Sequence, residues 1–187
     1  MTVGGTYHND SEAYRCNLIT RTNGYADKLF VMRDTLQSIV TTDLVPLYYR
    51  KGANEGGQYR VDEVWYKYPG NGKTQIHQRY RNRHGEVTTH DLTHNTCVYD
   101  MMSMVLRARS FDGSKYKKGD RIRFMMTSGD EVNPQTLVFR GRETFKMDGS
   151  DVRYRCIVIS FVERQDDGSE KDIITFYVTA DDNHLPV

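Results

Sequence analysis

The sequence lacks the features that mark several common classes of protein. Its 187 residues include 26 basic and 25 acidic side chains, a formal net charge of +1. A chain this balanced is not an evident binder of polyanions such as nucleic acid. No stretch approaches the roughly 18–20 apolar residues of a membrane span. The start, Met1 to Gly5, has neither the basic nor the apolar region of a signal peptide.

Motifs for catalysis and metal binding are missing as well. The sequence contains no Gly-x-Ser-x-Gly, glycine-rich phosphate loop, Cys-x-x-Cys or His-Glu-x-x-His. His90 and His94 would share one face of a helix, but the residues before them favour a strand. Four strand residues span about 13 Å, too far for two ligands of one zinc ion. We predict no metal, no cofactor and no enzyme activity, with a hydrolase as the minor alternative.

Part of the sequence occurs twice. Tyr14–Ile19 resembles Tyr154–Ile159 at an offset of 140 residues, and a second run follows each copy at an offset of 138. The second run matches Asp34, Leu36, Val40, Thr41 and Asp43 with Asp172, Ile174, Val178, Thr179 and Asp181, and Pro46 and Pro186 come soon after. The repeat predicts that a strand–turn–strand unit recurs at the start and end of one domain, residues 1–187.

The three cysteines leave at least one thiol unpaired. Cys16 and Cys156 occupy equivalent positions of the repeat, so a disulfide between them is conceivable, but free core thiols are favoured. Cys97 opens a predicted helix, where its thiol would be either modestly activated or simply packed. Packing is the favoured interpretation.

Strand patterns dominate the chain, and 13 Tyr and 7 Phe suit β-structure. Turn sequences such as Asn23-Gly24 separate the segments, and Asp167-Gly168 predicts a hairpin. Tyr154–Val162 and the run Ile173–Val178 are apolar on both faces, as in an enclosed sheet. The predicted fold is mainly β, a curved antiparallel meander forming an open or half-closed barrel. The predicted strands are 13–21, 34–42, 47–51, 58–68, 75–82, 86–93, 120–127, 135–145, 154–164 and 171–180.

One segment departs from this pattern. From Thr96 to Ser110, apolar residues recur at spacings of three and four, which predicts an amphipathic helix near residues 97–110. Asn95 or Thr96 could cap its start. A single helix within a long meander is expected to act as a plug or lid on the sheet.

Arginines recur at alternate positions, which on a strand lie on one face. The sets are Arg79, Arg81 and Arg83; Arg121 and Arg123; Arg140 and Arg142; and Arg153 and Arg155. If the strands are neighbours, the guanidinium groups would form a patch that binds phosphate or carboxylate. The alternative is cross-strand pairing with Glu and Asp, which the balanced charge favours.

Seven segments in order along the chain resemble a family of exported proteins of unknown function from Gram-negative bacteria. They are Lys28–Thr35, Thr42–Lys51, Asp62–Tyr66, Tyr99–Met104, Lys118–Ile122, Arg140–Glu143 and Asp182–Val187. The resemblance implies a periplasmic or envelope location and a lipoprotein-like open barrel. It also implies a signal and a strand before Met1 and strands after Val187, so we expect a chain truncated at both ends. It brings no activity or catalytic residue.

We therefore expect a non-enzymatic binding module of the cell envelope. A concave apolar face with Met101, Met104 and Val105 would hold a lipophilic group. Arginines would meet an anionic headgroup or a glycan, and the candidates are Arg79, Arg81, Arg83, Arg121 and Arg123. The alternative is a structural or assembly protein that acts through sheet edges or the arginine face. The expected partners are a lipid, a glycan or an envelope protein, without nucleic acid.

Overall fold

A computed structural model of the chain describes residues 1–22, 32–128, 131–147, 149–165, 167–181, 184–185 and 187. The predicted Asn23-Gly24 turn and the segment 28–31 of the family resemblance lie outside these residues. The strands are β1 (Thr2–His8), β2 (Ser11–Arg21), β3 (Met32–Thr41), β4 (Pro46–Glu55), β5 (Gln58–Gly70), β6 (Lys73–Arg81), β7 (Val87–His94), β8 (Val98–Tyr99), β9 (Arg121–Ser128), β10 (Glu131–Lys146), β11 (Arg153–Arg164) and β12 (Glu170–Thr179).

The strands form two sheets. Strands β1 to β7 follow one another in a seven-stranded sheet, and the second sheet has the order β12-β11-β10-β9-β8. The long pairings are antiparallel, while β8 and β9 share a two-residue parallel bridge. Among the described residues β1 does not pair with β7, so the larger sheet is open. The predicted class, mainly β with an open antiparallel architecture, is confirmed.

The chain divides into two compact units. The first comprises Met1–Val105 with Met125–Asn133, and the second comprises Leu106–Phe124 with Pro134–Val187. Each unit contains one copy of the sequence repeat. The organisation as one domain stays a prediction.

Strand β6 illustrates how sequence determines burial in the first unit. Thr74, Ile76 and Gln78 are buried, and the residues between them are exposed. Successive side chains of a strand point to opposite faces, so β6 covers a core with one face and meets solvent with the other. This alternation decides which side chains of β6 a ligand can reach.

Strand β11 behaves differently, as its sequence predicts. Every residue from Cys156 to Val162 is buried, so both faces of the strand are covered. The same prediction for β12 is wrong in part, because Ile173 and Ile174 are 50% and 43% exposed. Strand β12 is the end strand of its sheet, which leaves these residues less covered than those of β11.

Both copies of the repeat form antiparallel strand pairs, but their registers differ. Cys16 pairs with Ser38, whereas Cys156 pairs with Thr179, three residues beyond Phe176, the counterpart of Ser38. Cross-strand partners share a face of the sheet, so Cys16 and Ser38 lie on one face. Because the second register is shifted by an odd number of residues, their counterparts Cys156 and Phe176 lie on opposite faces. Homologous positions of the two copies therefore have different neighbours.

The corners that end the two copies nevertheless share two hydrogen bonds. Thr41 donates its backbone N–H to the carbonyl of Val45, and the N–H of Val45 donates to Thr41 Oγ1. Thr179 and Leu185 exchange the same two hydrogen bonds. In both corners the residue before the second partner has a positive φ, 61° at Leu44 and 45° at His184. The shared Thr of the repeat thus marks two corners that are closed by the same two hydrogen bonds, although the second corner is longer than the first.

The single described α-helix, α1, covers Met101–Arg109 and is shorter than predicted. Val98 and Tyr99 belong to β8, so the prediction of a cap at Asn95 or Thr96 is wrong. Asp100 takes that role, because Asp100 Oδ1 accepts from the N–H of Ser103, and Ser103 Oγ accepts from the N–H of Asp100. This reciprocal pair satisfies two backbone donors at the start of the helix.

The turn between β11 and β12 confirms the predicted hairpin. Gly168 has a φ of 81°, and its N–H donates to the carbonyl of Gln165. Asp167 Oδ1 accepts from the N–H of Ser169 at 2.8 Å. Glycine is suited to this position because a side chain would oppose the left-handed backbone.

Candidate functional site

The solvent-exposed side of strands β4 to β7 presents a row of aromatic and polar side chains. The register aligns Tyr48 with Trp65, Trp65 with His77, and His77 with Asp91. The ring centres of Tyr48 and Trp65 lie 5.5 Å apart, as do those of Trp65 and His77. We call Tyr48, Trp65, His77 and Asp91 the tryptophan face.

The polar groups of this face are held by short contacts. His77 Nδ1 lies 2.8 Å from Asp91 Oδ1. Glu63 accepts from the hydroxyl of Tyr48 and from Arg79 Nη1, both at 2.8 Å. Burial is the main reason that the pKa of Tyr48 is raised, and its hydrogen bond to Glu63 adds to the shift.

The three arginines of the first candidate set have different partners. Arg79 forms the cross-strand ion pair with Glu63 that the alternative interpretation predicts. Arg81 lies over the ring of Tyr59, with 5.8 Å between its guanidinium carbon and the ring centre. Arg83 donates from Nη1 to Gln58 Oε1 at 2.8 Å and from Nε to His84 Nε2 at 3.0 Å. Within the described part of the chain, no carboxylate pairs with Arg81 or Arg83.

Arg83 borders an open cavity of about 280 Å³ at the end of strands β5 and β6. We call the residues that line this cavity the arginine end: Gln58, Arg60, Tyr80, Asn82, Arg83 and His84. Asn82 Oδ1 accepts from the backbone N–H groups of His84 and Glu86, which fixes the turn after β6. The turn therefore holds Arg83 and His84 at the mouth of the cavity.

Two arginines of the second unit, Arg121 and Arg140, have carboxylate partners. Arg121 donates from Nη1 and Nη2 to the two oxygens of Glu170, at 2.5 and 2.8 Å. This bidentate contact lowers the pKa of Glu170 and raises that of Arg121. Arg140 makes a similar contact with Asp172 and lowers the pKa of its carboxyl group. These pairs are the cross-strand alternative that the sequence analysis favoured.

The two main sets of arginines lie on strands of different sheets. Arg79 and Arg81 lie on β6 of the seven-stranded sheet, with Arg83 just beyond its end, and Arg121 and Arg123 lie on β9 of the other sheet. The strands are not hydrogen-bonded neighbours, so the condition for a patch is not met. Arg123 is exposed.

An apolar cavity lies within the second unit. Phe111, Tyr116, Phe139, Ile157 and Val178 contribute to its wall. Its volume is only about 10 Å³, close to the least that holds one water molecule.

The three residues predicted to hold a lipophilic group are largely covered. Met104 is 1% exposed, while Met101 and Val105 are half-buried. These residues therefore offer little open apolar surface.

Asp100 belongs to a buried polar cluster of the first unit. Its carboxylate accepts from Ser38 Oγ at 3.1 Å as well as from the N–H of Ser103. Burial raises the pKa of Asp100 to about 6, although the hydrogen bonds oppose the shift. Burial likewise raises the pKa of Tyr49 and Tyr66, and the nearby Asp100 adds to the shift. A capping role accounts for these contacts, so we do not assign this cluster to a ligand.

The histidines and cysteines give no sign of a metal centre. His90 and His94 lie on strand β7, as predicted. In the residues covered by the structure, no group of three His, Cys, Asp or Glu side chains could hold a metal ion. Cys16, Cys97 and Cys156 are thiols outside any disulfide, and Cys16 and Cys156 are buried, which confirms the favoured interpretation. Cys97 precedes β8 rather than opening α1, so the prediction of a thiol at the helix start is wrong.

Sequence reasoning missed the row around Trp65 and the contribution of Arg60 and His84. The signal was the single tryptophan of the chain, followed by His77 on the next strand. Their proximity depends on a cross-strand register, which the sequence does not reveal.

The comparisons with known proteins concern the whole chain. No described helix is long and apolar enough to cross a membrane. Searches among curated proteins and solved structures give no match to this chain. A protein-family model described as a protein of unknown function, DUF3108, matches residues 1–187. Because the match covers the full sequence, the chain belongs to the DUF3108 family.

Proposed function

We propose that this protein is a non-enzymatic binding module of the cell envelope that holds an anionic group at the arginine end. The observation that carries the proposal is the environment of Arg83. Its guanidinium donates to Gln58 and to His84, neither of which is a carboxylate, beside an open cavity that Arg60 also lines. A guanidinium group without a carboxylate partner can bind phosphate or carboxylate through two parallel hydrogen bonds.

The second unit supports the choice of this site over the other arginines. Arg121 and Arg140 already form bidentate contacts with Glu170 and Asp172. An external anion would have to displace those carboxylates, which are part of the same chain and therefore permanently close. An anion at Arg83 displaces only Gln58 and His84, neither of which is a carboxylate.

An anionic ligand is also favoured over a lipophilic one. Ligand cavities usually have volumes of about 300–1,000 Å³, and the apolar cavity of the second unit has about 10 Å³. An acyl chain would require this cavity to open. The arginine end, at about 280 Å³, offers space for a small anion without rearrangement.

Calorimetric titration with inorganic pyrophosphate at low ionic strength tests the site. Arg83→Gln removes the charge and keeps a polar side chain, and Arg123→Gln, an exposed arginine of the second unit, is the matched control. We expect Arg83→Gln to weaken binding by about tenfold or more and Arg123→Gln to change it little. Equal weakening by both variants, or no binding by the wild type, contradicts the proposal.

Location in the envelope rests on the family resemblance of the sequence. Fractionation of a Gram-negative cell that makes this protein tests it directly. We expect the protein in the periplasmic or envelope fraction, and recovery in the cytoplasmic fraction contradicts this part of the proposal.

A second candidate function is assembly through the edge of β12. Tyr177 of this strand already accepts a hydrogen bond at its carbonyl, from the backbone N–H of Val187 at 3.0 Å. Ile173 and Ile174 are exposed on the same strand. Exposed edges with apolar side chains favour pairing with another strand. Light scattering across concentrations distinguishes the functions, because assembly predicts an oligomer that Ile174→Lys dissociates.

A further inference from the structure

The tryptophan face forms one side of an open cavity that is separate from the arginine end. The cavity has a volume of about 320 Å³, and its wall includes Trp65, His77 and Asp91. Lys67, Gln75 and Thr93 complete the polar part of this wall. Trp65 is half-buried and His77 and Asp91 are exposed, so a ligand in the cavity would contact an aromatic ring and several hydrogen-bonding groups.

The aromatic rings are fixed in position before any ligand arrives. Trp65 is held between Tyr48 and His77, and both neighbours are fixed in turn by carboxylates, Tyr48 by Glu63 and His77 by Asp91. A rigid aromatic platform loses little conformational freedom on binding, which raises affinity for a flat apolar surface. The position of Trp65 within the row thus favours stacking.

The charges of this face favour an uncharged ligand. Arg79 is paired with Glu63, and His77 is in contact with Asp91, so these groups already have partners within the sheet. Lys67 adds one cation at the rim of the cavity. A polyanion would find little net positive charge here, whereas a ligand with many hydroxyl groups would find both donors and acceptors.

We propose that the tryptophan face binds a pyranose ring of an oligosaccharide. A pyranose has one face of C–H groups, which packs on an aromatic ring, and a rim of hydroxyl groups. Trp65 would take the C–H face, and Asp91, Gln75 and Lys67 would bind hydroxyl groups of the ring or of its neighbour. This site does not depend on the anion site proposed for the arginine end.

The chain offers a direct probe, because Trp65 is its single tryptophan. Fluorescence excited selectively from tryptophan, rather than from the 13 tyrosines, therefore reports on this face alone. We expect a saturable change in intensity or wavelength on titration with the tetrasaccharide of β-linked N-acetylglucosamine or of β-linked glucose, measured as separate arms. No change with either sugar up to about 10 mM, a concentration that detects weak binding, overturns the proposal.

Calorimetry with the sugar that binds extends the test to variants. Trp65→Ala and Asp91→Ala should each weaken binding by about tenfold or more, and Trp65→Phe should weaken it less because a ring remains. Tyr7→Ala is the control, since Tyr7 is an aromatic residue of β1 that is 70% exposed. Full binding by Asp91→Ala and Trp65→Ala overturns the proposal. Asp91 is 81% exposed, so its variant is expected to fold.

A final arm separates this site from the anion site. Arg83→Gln should leave sugar binding unchanged, and inorganic pyrophosphate should not compete with the sugar. Loss of sugar binding in Arg83→Gln, or competition by pyrophosphate, contradicts two separate sites.

Discussion

Both compact units carry arginines at alternate positions of a strand, but the guanidinium groups have different partners in each. In the second unit, Arg121 and Arg140 bind Glu170 and Asp172 of strand β12. In the first unit, Arg79 also pairs with an acid, Glu63, but Arg81 lies on the ring of Tyr59 and Arg83 binds Gln58 and His84. Whether an Arg-x-Arg strand can serve a ligand depends on whether a carboxylate of the same chain reaches it.

Acids with shifted pKa values also differ between the two units. Asp100 of the first unit is fully buried, and its pKa is raised to about 6. Glu170 and Asp172 of the second unit are partly exposed, and arginine contacts lower their pKa values. The two units should therefore respond to pH in opposite directions.

The largest expected effect concerns Asp100. A carboxyl group whose pKa is raised by folding binds more protons in the folded state, so its contribution to stability decreases as pH rises from about 4 to about 6. The change reaches about 3 kcal/mol, since the pKa moves from 3.8 to about 6. Asp100→Asn keeps an acceptor for the helix start and cannot titrate.

Urea denaturation of both proteins between pH 4 and pH 7 tests this. The free energy of unfolding of Asp100→Asn, minus that of the wild type, should increase with pH across the window. A difference that stays constant would show that Asp100 does not titrate as described.

A smaller effect is expected from the paired acids of the repeat. Asp34 is buried, accepts from the N–H of Asn54 at 3.3 Å and lies 3.8 Å from Lys51 Nζ, while its counterpart Asp172 forms a partly exposed pair with Arg140. Asp34→Ala should lower the free energy of unfolding by about 1–3 kcal/mol, because it leaves a backbone donor unsatisfied. Asp172→Ala should cost less than about 1 kcal/mol. Equal losses of unfolding free energy in urea denaturation at pH 7 would mean that Asp34 and Asp172 contribute equally to stability, despite the different registers of the two copies.

The smallest effect concerns the corners that the copies share. Thr41→Val and Thr179→Val each remove the hydroxyl that accepts the N–H of Val45 or Leu185. Because both corners contain this hydrogen bond, we expect a loss of about 1 kcal/mol in each, and a somewhat larger one for Thr179→Val because the hydroxyl of Thr179 also donates to Asp181 Oδ1. Amide hydrogen exchange at Val45 and Leu185 should increase in the respective variant. A large loss in one corner alone would contradict their equivalence.

The sequence predicted most strands because turn residues separate them clearly. Strand β6 is an example, since Gly72 precedes it and Gly85 follows soon after its end. Strand β1 was missed because Gly4 and Gly5 weaken its strand pattern. The start of α1 was predicted too early because Val98 fits the helical spacing. Val98 and Tyr99 instead form β8, and Asp100 caps the helix that follows.

The candidate site was less predictable than the fold. The alternate spacing of Arg79, Arg81 and Arg83 predicted that they lie on one face of a strand. It could not predict their partners, because the strand partners of Arg79 and Arg83 belong to another strand. Glu63 reaches Arg79 through the register of β5 and β6, and Gln58 rather than an acid lies near Arg83. Register depends on the turns and on packing of the whole sheet, so a local pattern cannot supply it.

The most direct test of the account compares arginines of the two units in one sample. Two-dimensional NMR of the arginine Nε–Hε groups during titration with inorganic pyrophosphate follows each guanidinium separately. We predict a saturable shift of the Arg83 resonance, with Arg121 and Arg140 unchanged because their carboxylate partners remain bound. Shifts of Arg121 and Arg140 with Arg83 unmoved would contradict the assignment of the anion site to the first unit.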